Sequence, residues 1–292
     1  MPQTQISFSE KDVYFYDDNG YMVVENMLSP DMCEEAVSIY KKYALPDYRG
    51  IMNLERGIIE YRDYAVTKGG VSITAVMKVE DKDAEFIWDI IRHPSIVAAL
   101  EALQEATVIN LQSMFLFKEA NTPYAAQAWN PHQDGAYPRA QYGMYITGNL
   151  CFTDQDKENG CMYIYPGSHR EPILLNEPVQ SFHEKLGSQP GHRVKVPEKY
   201  LAKKTDLIMA QGSVLFLHAN VIHGSYPNVS PTRSRYMLLV PYGTKGIASN
   251  PGFISGRTGR REEHSLRKTW RELFYENSNI YIFPSPFTAE MK

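Results

Sequence analysis

Cysteine is scarce in this chain. Cys33, Cys151 and Cys161 are the only three, an odd number at spacings that match neither a disulfide framework nor a Cys-x-x-Cys metal site, so reduced thiols in a cytoplasmic protein are expected. Positive charge is also short: 30 Lys and Arg against 34 Asp and Glu leave a formal charge of −4, the wrong sign for displacing counterions from nucleic-acid phosphates. No run approaches the ~20 apolar residues of a membrane helix, and the opening MPQTQISFSEKD is too polar for a signal-peptide core. H-E-x-x-H, a Walker loop and G-x-G-x-x-G are all missing, and Pro166-Gly167-Ser168-His169 lacks the second glycine of a nucleophile elbow. Zinc proteolysis, nucleotide-phosphate binding and serine hydrolysis lose their signatures. What remains is an ordinary globular mix, 43% apolar and 22% charged over 292 residues, which makes small-molecule chemistry the default.

The organisation changes once along the chain. Ser29-Pro30-Asp31 reads as a helix start, followed by Met32, Ala36, Ile39, Tyr40 and Tyr43 at helical spacing. A second helix is predicted from Asp81–Asp83, with Phe86, Ile87, Ile90 and Ile91 on one face; it breaks at Pro94 and resumes through Leu100 and Leu103. The first hundred residues are therefore expected to be mostly helical. Beyond them come short β-branched and aromatic runs between turn formers: Val108–Phe117, Tyr142–Phe152, Met162–Tyr165, Val214–Leu217 and Tyr236–Val240. No helical pattern alternates with them, which favours an antiparallel sandwich or barrel over a parallel sheet. Residues 176–205 read as an insertion, and Leu266, Trp270, Leu273 and Phe274 predict a closing helix. One domain over residues 1–292 is expected: a helical flank (1–105), a β core (106–245) and a C-terminal loop and helix (246–292).

His132-Gln133-Asp134 is the first candidate site, since residues two apart on an extended chain share a side. With 8 histidines and 34 acids, chance alone supplies about one such pair, and His169-Arg170-Glu171 is a rival beside a Pro-Gly-Ser turn. His223 offers a third ligand. Two histidines and one carboxylate on one octahedral face suit non-haem Fe(II), and the formal +1 that they leave suits an anionic 2-oxo acid. The far carboxylate of such an acid needs a cation, and Arg233 and Arg235 follow His223 closely.

These blocks, HQD at 132–134, ENGCMYIYPGSHR at 158–170, GSVLFLH at 212–218 and HGSYPNVS at 223–230, together with DNGYMVV at 18–24, resemble the phytanoyl-CoA dioxygenase-like family of Fe(II)/2-oxoglutarate oxygenases. The resemblance implies a mostly β protein with helical flanks around a double-stranded β-helix (jelly-roll) core. It implies Fe(II) as cofactor, 2-oxoglutarate and O2 as cosubstrates and ascorbate as an accessory reductant. His132, Asp134 and His223 would be the metal ligands, and Ser225 with a downstream arginine would hold 2-oxoglutarate. The family arginine usually falls where Ser234 stands, so a one-residue insertion is needed to bring Arg235, favoured over Arg233, into place. Gln112 and Asn149 are further cosubstrate candidates. His169 reads as structural support, His218 as either pocket or core, and Trp129, Tyr142 and Tyr145 as core or pocket wall.

The expected activity is hydroxylation of an unactivated C–H bond in a small metabolite. Desaturation, cyclisation and epimerisation use the same centre, and a non-catalytic jelly-roll binding protein is the alternative from another class. Six basic against three acidic side chains in 176–205, and six against two in 257–271, suggest an anionic substrate.

Overall fold

Ser29 opens a helix as its sequence requires: its hydroxyl accepts the Met32 amide at 3.3 Å, Pro30 fills the first turn, and Cys33, Ala36, Ile39, Tyr40 and Tyr43 form the buried face. The computed structural model describes residues 8–45, 51–55, 57–68, 71–138, 140, 142–179, 191–245 and 247. Its helices are α1 (Glu10–Asn19), α2 (Pro30–Tyr43), α3 (Asp81–Ile91), α4 (Pro94–Gln104) and the single turn α5 (Glu198–Leu201). Its strands begin with β1 (Tyr21–Val24), β2 (Met52–Glu55), β3 (Ile58–Lys68), β4 (Val71–Lys78), β5 (Val108–Asn110), β6 (Met114–Lys118), β7 (Trp129–His132) and β8 (Tyr145–Cys151). They continue with β9 (Met162–Ile164), β10 (Asn176–Val179), β11 (Gly191–Val194), β12 (Thr205–Leu207), β13 (Val214–His218), β14 (His223–Ser225) and β15 (Arg235–Thr244).

The major sheet has the order β1-β13-β8-β15-β6-β2-β3-β4, with β5 also on β15, and faces a four-stranded sheet, β12-β9-β14-β7. Every ladder is antiparallel. Period-two alternation sorts the side chains. On β15, Tyr236, Leu238, Val240 and Tyr242 join the helices in one core, where the Tyr40 ring lies 4.3 Å from that of Phe117. Met237 turns the other way and packs with Cys151, Met162, Ile164, Leu207, Leu215 and Leu217 between the two sheets. That second layer is the interior of a jelly roll.

The flank differs from its expected helical texture, because β1 to β4 run among the helices. Ile59 and Tyr61 are buried two apart on β3, a strand alternation, and the Gly69-Gly70 pair between β3 and β4 is a hairpin signal. The expected strand Val108–Phe117 is split. Asn110 pairs Tyr242 and Met114 pairs Leu239, so three residues on one side face two on the other, and Leu111–Ser113 bulges out of the ladder. The expected insertion, 176–205, contains β10, β11 and α5 and ends on the first residue of β12. The predicted closing helix and the basic stretch 257–271 lie outside the described residues. Cys33, Cys151 and Cys161 are buried and unpaired, and no helix among the described residues is long and apolar enough to cross a membrane.

Candidate metal centre

Strand β7 ends on His132, Asp134 opens the following tight turn, and His223 begins β14 as the register partner of His132. The chain thereby brings three buried donors together, with ligand atoms all within 4.8 Å of one another. Asp134 Oδ1 lies 3.5 Å from His132 Nε2 and 3.7 Å from His223 Nε2. The opposite ring nitrogens meet backbone carbonyls: His132 Nδ1 is 2.7 Å from Asn130 O, and His223 Nδ1 is 3.0 Å from Val221 O. A nitrogen facing a carbonyl at that range must carry the proton, so both Nε2 lone pairs are directed at the shared centre. Burial, and then His132, press the His223 pKa down to about 4, which keeps its lone pair free at neutral pH. Burial pushes the Asp134 carboxyl up, but His223 and His132 outweigh it and the net displacement is downward. Two imidazole Nε2 atoms and one carboxylate facing one point thus fit a divalent metal of the Fe(II) kind.

Gln133 points away from this centre and ties it down. Its Nε2 donates to Asn220 O at 2.9 Å and Pro172 O at 3.2 Å, and its Oε1 accepts the Leu174 amide at 2.8 Å. Gly135 donates its amide to Ala219 O at 2.8 Å, and a Cβ there would sit 2.6 Å from Asn220 Oδ1. Gly135→Ala should therefore displace this turn and weaken metal affinity by about 10–100-fold, the usual cost of losing an outer support. Titration with Co(II) checks it, and adding Asn220→Ala should restore part of the affinity by removing the clash.

Inside the roll, Lys118 on β6 and Arg235 on β15 are register partners, 0% and 2% exposed. Neither pairs with a carboxylate among the described residues. Lys118 Nζ donates to Ser225 Oγ at 2.7 Å, to Gly160 O at 3.5 Å and to Tyr226 O. Arg235 Nη1 donates to the same Gly160 O at 3.1 Å, while its buried Nε has no partner. Burial, then the neighbouring Arg235, hold the Lys118 pKa well below the usual lysine range, and burial lowers Arg235 to about 10. Holding both groups charged in a dry interior is costly, and an anionic ligand is what would offset that cost. Gly160 adopts φ +89°, and a Cβ on it would meet Tyr226 O at 2.8 Å and Lys118 Cδ at 3.0 Å, which explains the glycine in ENGC. Lys118 escaped the sequence reading. Its signal was a lysine at an inward position of an apolar strand.

Arg233 is elsewhere. It precedes β15, so strand periodicity does not apply to it. It holds Asp156 through two bonds of 2.7 and 3.0 Å and Glu158 at 2.5 Å, and so fastens the loop that carries Gly160. Asn149 Nδ2 donates to Thr147 Oγ1 at 3.3 Å, and Thr147 Oγ1 reaches Asp134 Oδ2 at 3.5 Å, so Asn149 stands behind the metal centre. Gln112 Nε2 donates to Asn53 Oδ1 at 3.2 Å. Tyr145 is buried, but Tyr142 is 63% exposed, lying over His218 with ring centroids 4.8 Å apart rather than in a core.

The rival motif comes apart. His169 Nε2 donates to Asp17 O at 3.0 Å at the end of α1, and Glu171 pairs with Lys199 at 2.6 Å. His218 shares the outward face of β13 with Val214 and Phe216, and its Nδ1 accepts the Asn220 amide at 3.0 Å. Burial, then His169, drive its pKa from 6.5 to about 3. The folded state holds His218 neutral while the unfolded chain binds a proton, so its contribution is complete above pH ~6.5 and drains away as pH falls towards ~3, by up to ~1.4 kcal/mol per unit. His218→Gln, which keeps an acceptor, should flatten that acid loss in urea unfolding.

The phytanoyl-CoA dioxygenase (PhyH) family model matches residues 16–237. Peroxisomal phytanoyl-CoA dioxygenase of Bos taurus is 24% identical over 220 residues, covering 74% of this chain and 63% of that protein. The chain thus spans less than two thirds of that relative's length. Ectoine dioxygenase of Nocardia farcinica is 25% identical over 238 residues, covering 77% and 74%. Among solved structures, the epimerase SnoN in complex with Fe3+, α-ketoglutarate and a nogalamycin compound superposes with a TM-score of 0.62 at 18% identity, covering 89% of this chain and 93% of that one. The α-ketoglutarate-dependent carbocyclase SnoK of nogalamycin biosynthesis gives 0.62 at 18%, covering 92% and 98%. The structural likeness establishes the jelly-roll fold, and from the match across residues 16–237 the chain belongs to the phytanoyl-CoA dioxygenase family.

Proposed function

We propose that this chain is an Fe(II)/2-oxoglutarate-dependent dioxygenase that hydroxylates an unactivated C–H bond of a small metabolite. His132, Asp134 and His223 hold the metal, and Arg235, Lys118 and Ser225 hold the far carboxylate of the cosubstrate. One observation carries the reading: a set of two histidines and one carboxylate shares an interior with two buried basic side chains that lack a carboxylate partner among the described residues. His223 and Ser225 lie on the same face of β14, about 7 Å apart at the usual strand rise, which is the reach of a five-carbon diacid.

Fe(II) bound there supplies O2 activation coupled to decarboxylation of the 2-oxo acid, and ascorbate serves as an accessory reductant. The chain does the positioning. The Asn130 and Val221 carbonyls accept from the two Nδ1–H groups and so orient each ring with Nε2 towards the metal position. Asp134 keeps its charge with Thr147 beside its second oxygen. Lys118 and Arg235 neutralise the distal carboxylate, Arg235 offering the unpartnered Nε and Lys118 polarising the Ser225 hydroxyl. Asn149 stands behind the metal through Thr147, and Gln112 is held by Asn53.

Anaerobic addition of Fe(II) and 2-oxoglutarate should give a metal-to-ligand charge-transfer band, followed by succinate on admission of O2. A non-catalytic binding protein would give neither. Epimerisation or ring closure at the same centre is a second reading, favoured by the superposition on an epimerase and a carbocyclase; product mass, lower by two hydrogens or unchanged rather than raised by one oxygen, separates the outcomes. The substrate is read as anionic from the exposed lysines around α5, the protein as cytoplasmic from its three buried, unpaired thiols, and a nucleic-acid partner as absent from the formal charge of −4. Arg193 pairs with Glu177 and Lys199 with Glu171, which offsets part of that field. A kcat/KM that does not fall with ionic strength would remove the anionic assignment.

A further inference from the structure

We propose that Asn53 on β2, held by Gln112 on the bulge before β6, is a substrate-recognition group of this pocket, and that it takes a neutral carbonyl oxygen carried by the substrate at a point remote from the carbon presented to the metal. This assignment deepens the function proposed above and rests on it, because the metal end of the same interior must be the reacting end.

Strand alternation puts Asn53 on that interior. Its neighbours Met52 and Leu54 are buried in the core shared with the helices, so Asn53 faces the other way. Directly paired residues share a face, and the register runs Asn149–Leu239–Met114–Asn53 across β8, β15, β6 and β2. Thr147, two residues before Asn149, donates its hydroxyl to Asp134 Oδ2 at 3.5 Å, so the metal ligands overlook one end of this row and Asn53 closes the other. Three strand spacings separate the ends, ~14 Å along the sheet. Between them Met114 and Leu239, with Leu116 one row along, are only partly buried and form an apolar floor.

Asn53 is 1% exposed, yet its amide is half used. Gln112 Nε2 donates to Asn53 Oδ1 at 3.2 Å, which occupies the acceptor, while Asn53 Nδ2 has no hydrogen-bond partner among the described residues. A buried donor left without a partner costs more than a made bond returns, and a ligand oxygen recovers that cost. The bulge that carries Gln112 is fastened on both sides: Leu111 donates its amide to Pro241 O at 2.9 Å, Ser113 Oγ donates to Leu54 O at 2.6 Å, and Asn110 Nδ2 donates to Gln112 O at 2.9 Å. Packing alone accounts for neither feature, since an apolar residue at 53 would fill the face with no bond left unmade. Asn149 Oδ1 is also unpartnered, but its Nδ2 bonds Thr147 and serves the metal end.

The donor set fixes the class of ligand. Asn53 and Gln112 are neutral, and Lys118 lies four residues along β6 from Met114, ~13 Å away. A carboxylate at Asn53 would lose its water without gaining a countercharge, whereas the carbonyl of an amide, lactam or ketone needs one donor. Negative charge on the substrate therefore sits elsewhere along it.

Three probes of one shape test this: cyclohexanecarboxamide, cyclohexanecarboxylate and cyclohexylmethylammonium, titrated by ligand-observed NMR against the full chain loaded with Zn(II) and 2-oxoglutarate. Wild type should bind the carboxamide about tenfold more tightly than either ion, the worth of one buried hydrogen bond. Asn53→Leu should lose that preference. Gln112→Leu should lose part of it, because Asn53 keeps its donor but is free to turn. Asn53→Asp replaces the donor with an anionic acceptor of equal size and should favour the ammonium instead, so it decides the matter if Asn53→Leu does not fold. A purely structural Asn53 would change the Tm and leave the ranking of the probes untouched. With Mn(II) at the metal centre, relaxation of the ring protons should place the bound carboxamide well beyond contact with the metal. An unchanged ranking in Asn53→Leu and Asn53→Asp, a ring in contact with the metal, or no preference for the carboxamide in wild type that binds 2-oxoglutarate overturns the assignment alone. Wild type that binds no 2-oxoglutarate overturns the proposed function with it.

Discussion

Alanine at His132, Asp134 or His223 should remove most Fe(II) affinity and abolish 2-oxoglutarate decarboxylation while the fold survives. Each residue contributes a donor atom to one centre, so the loss must exceed the 10–100-fold that follows from removing a mere outer support. Survival of the fold follows from how the side chains are attached. The two imidazoles bond to the carbonyls of Asn130 and Val221, each two residues away on its own segment, while Gln133 and the β7–β14 and β9–β14 ladders hold the segments together. Asp134→Asn is the sharper variant, since it keeps the shape and discards the charge. Equilibrium dialysis with Fe(II), succinate release and thermal melting would be read together. His169→Ala provides the contrast: it should bind metal normally and melt earlier, because its Nε2 holds Asp17 O at the end of α1. Turnover retained in His132→Ala and lost in His169→Ala would hand the centre to the rival motif.

What was legible from residues alone was local. His132-Gln133-Asp134 and His223-Gly224-Ser225 are short motifs at strand ends, and a three-residue spacing already says which side chains share a side. The Ser29 cap and the Pro94 break were legible for the same reason. What escaped depends on pairing between distant segments. Lys118 becomes conspicuous only when β6 is laid against β15 and its partner proves to be Arg235. The bulge at Leu111–Ser113 exists because β15 runs past both β5 and β6 with one residue fewer, and a single strand shows no such count. The two arginines differ in where β15 begins. Both would face one way if the strand started earlier, but it starts at Arg235, and Arg233 is left in the preceding turn with Asp156 and Glu158.

Arg235→Ala should therefore raise the 2-oxoglutarate KM by about thirtyfold or more, because truncating one member of a buried, charge-assisted pair costs ~2–5 kcal/mol and each ~1.4 kcal/mol is tenfold. Arg233→Ala should change it only a few-fold. Its side chain is 41% exposed, and ion pairs of that kind contribute ~0–1 kcal/mol each. Its effect should appear instead as a small loss of stability from the loop that carries Gly160. Stability without cosubstrate separates the two further. Arg235 is a buried cation with no carboxylate partner among the described residues, so its removal should leave the ligand-free protein as stable as before, or more so. Adding 2-oxoglutarate with an inert divalent metal should then raise the Tm of wild type and of Arg233→Ala but not of Arg235→Ala, since only a ligand that binds the folded state shifts the melt. Lys118→Met should resemble Arg235→Ala in the melt and in KM, its ammonium being bonded to Ser225 on the same side of the pocket. Equal KM effects at 233 and 235, or the reverse ranking, would place the cosubstrate carboxylate against the Asp156 loop and away from the Lys118–Arg235 pair.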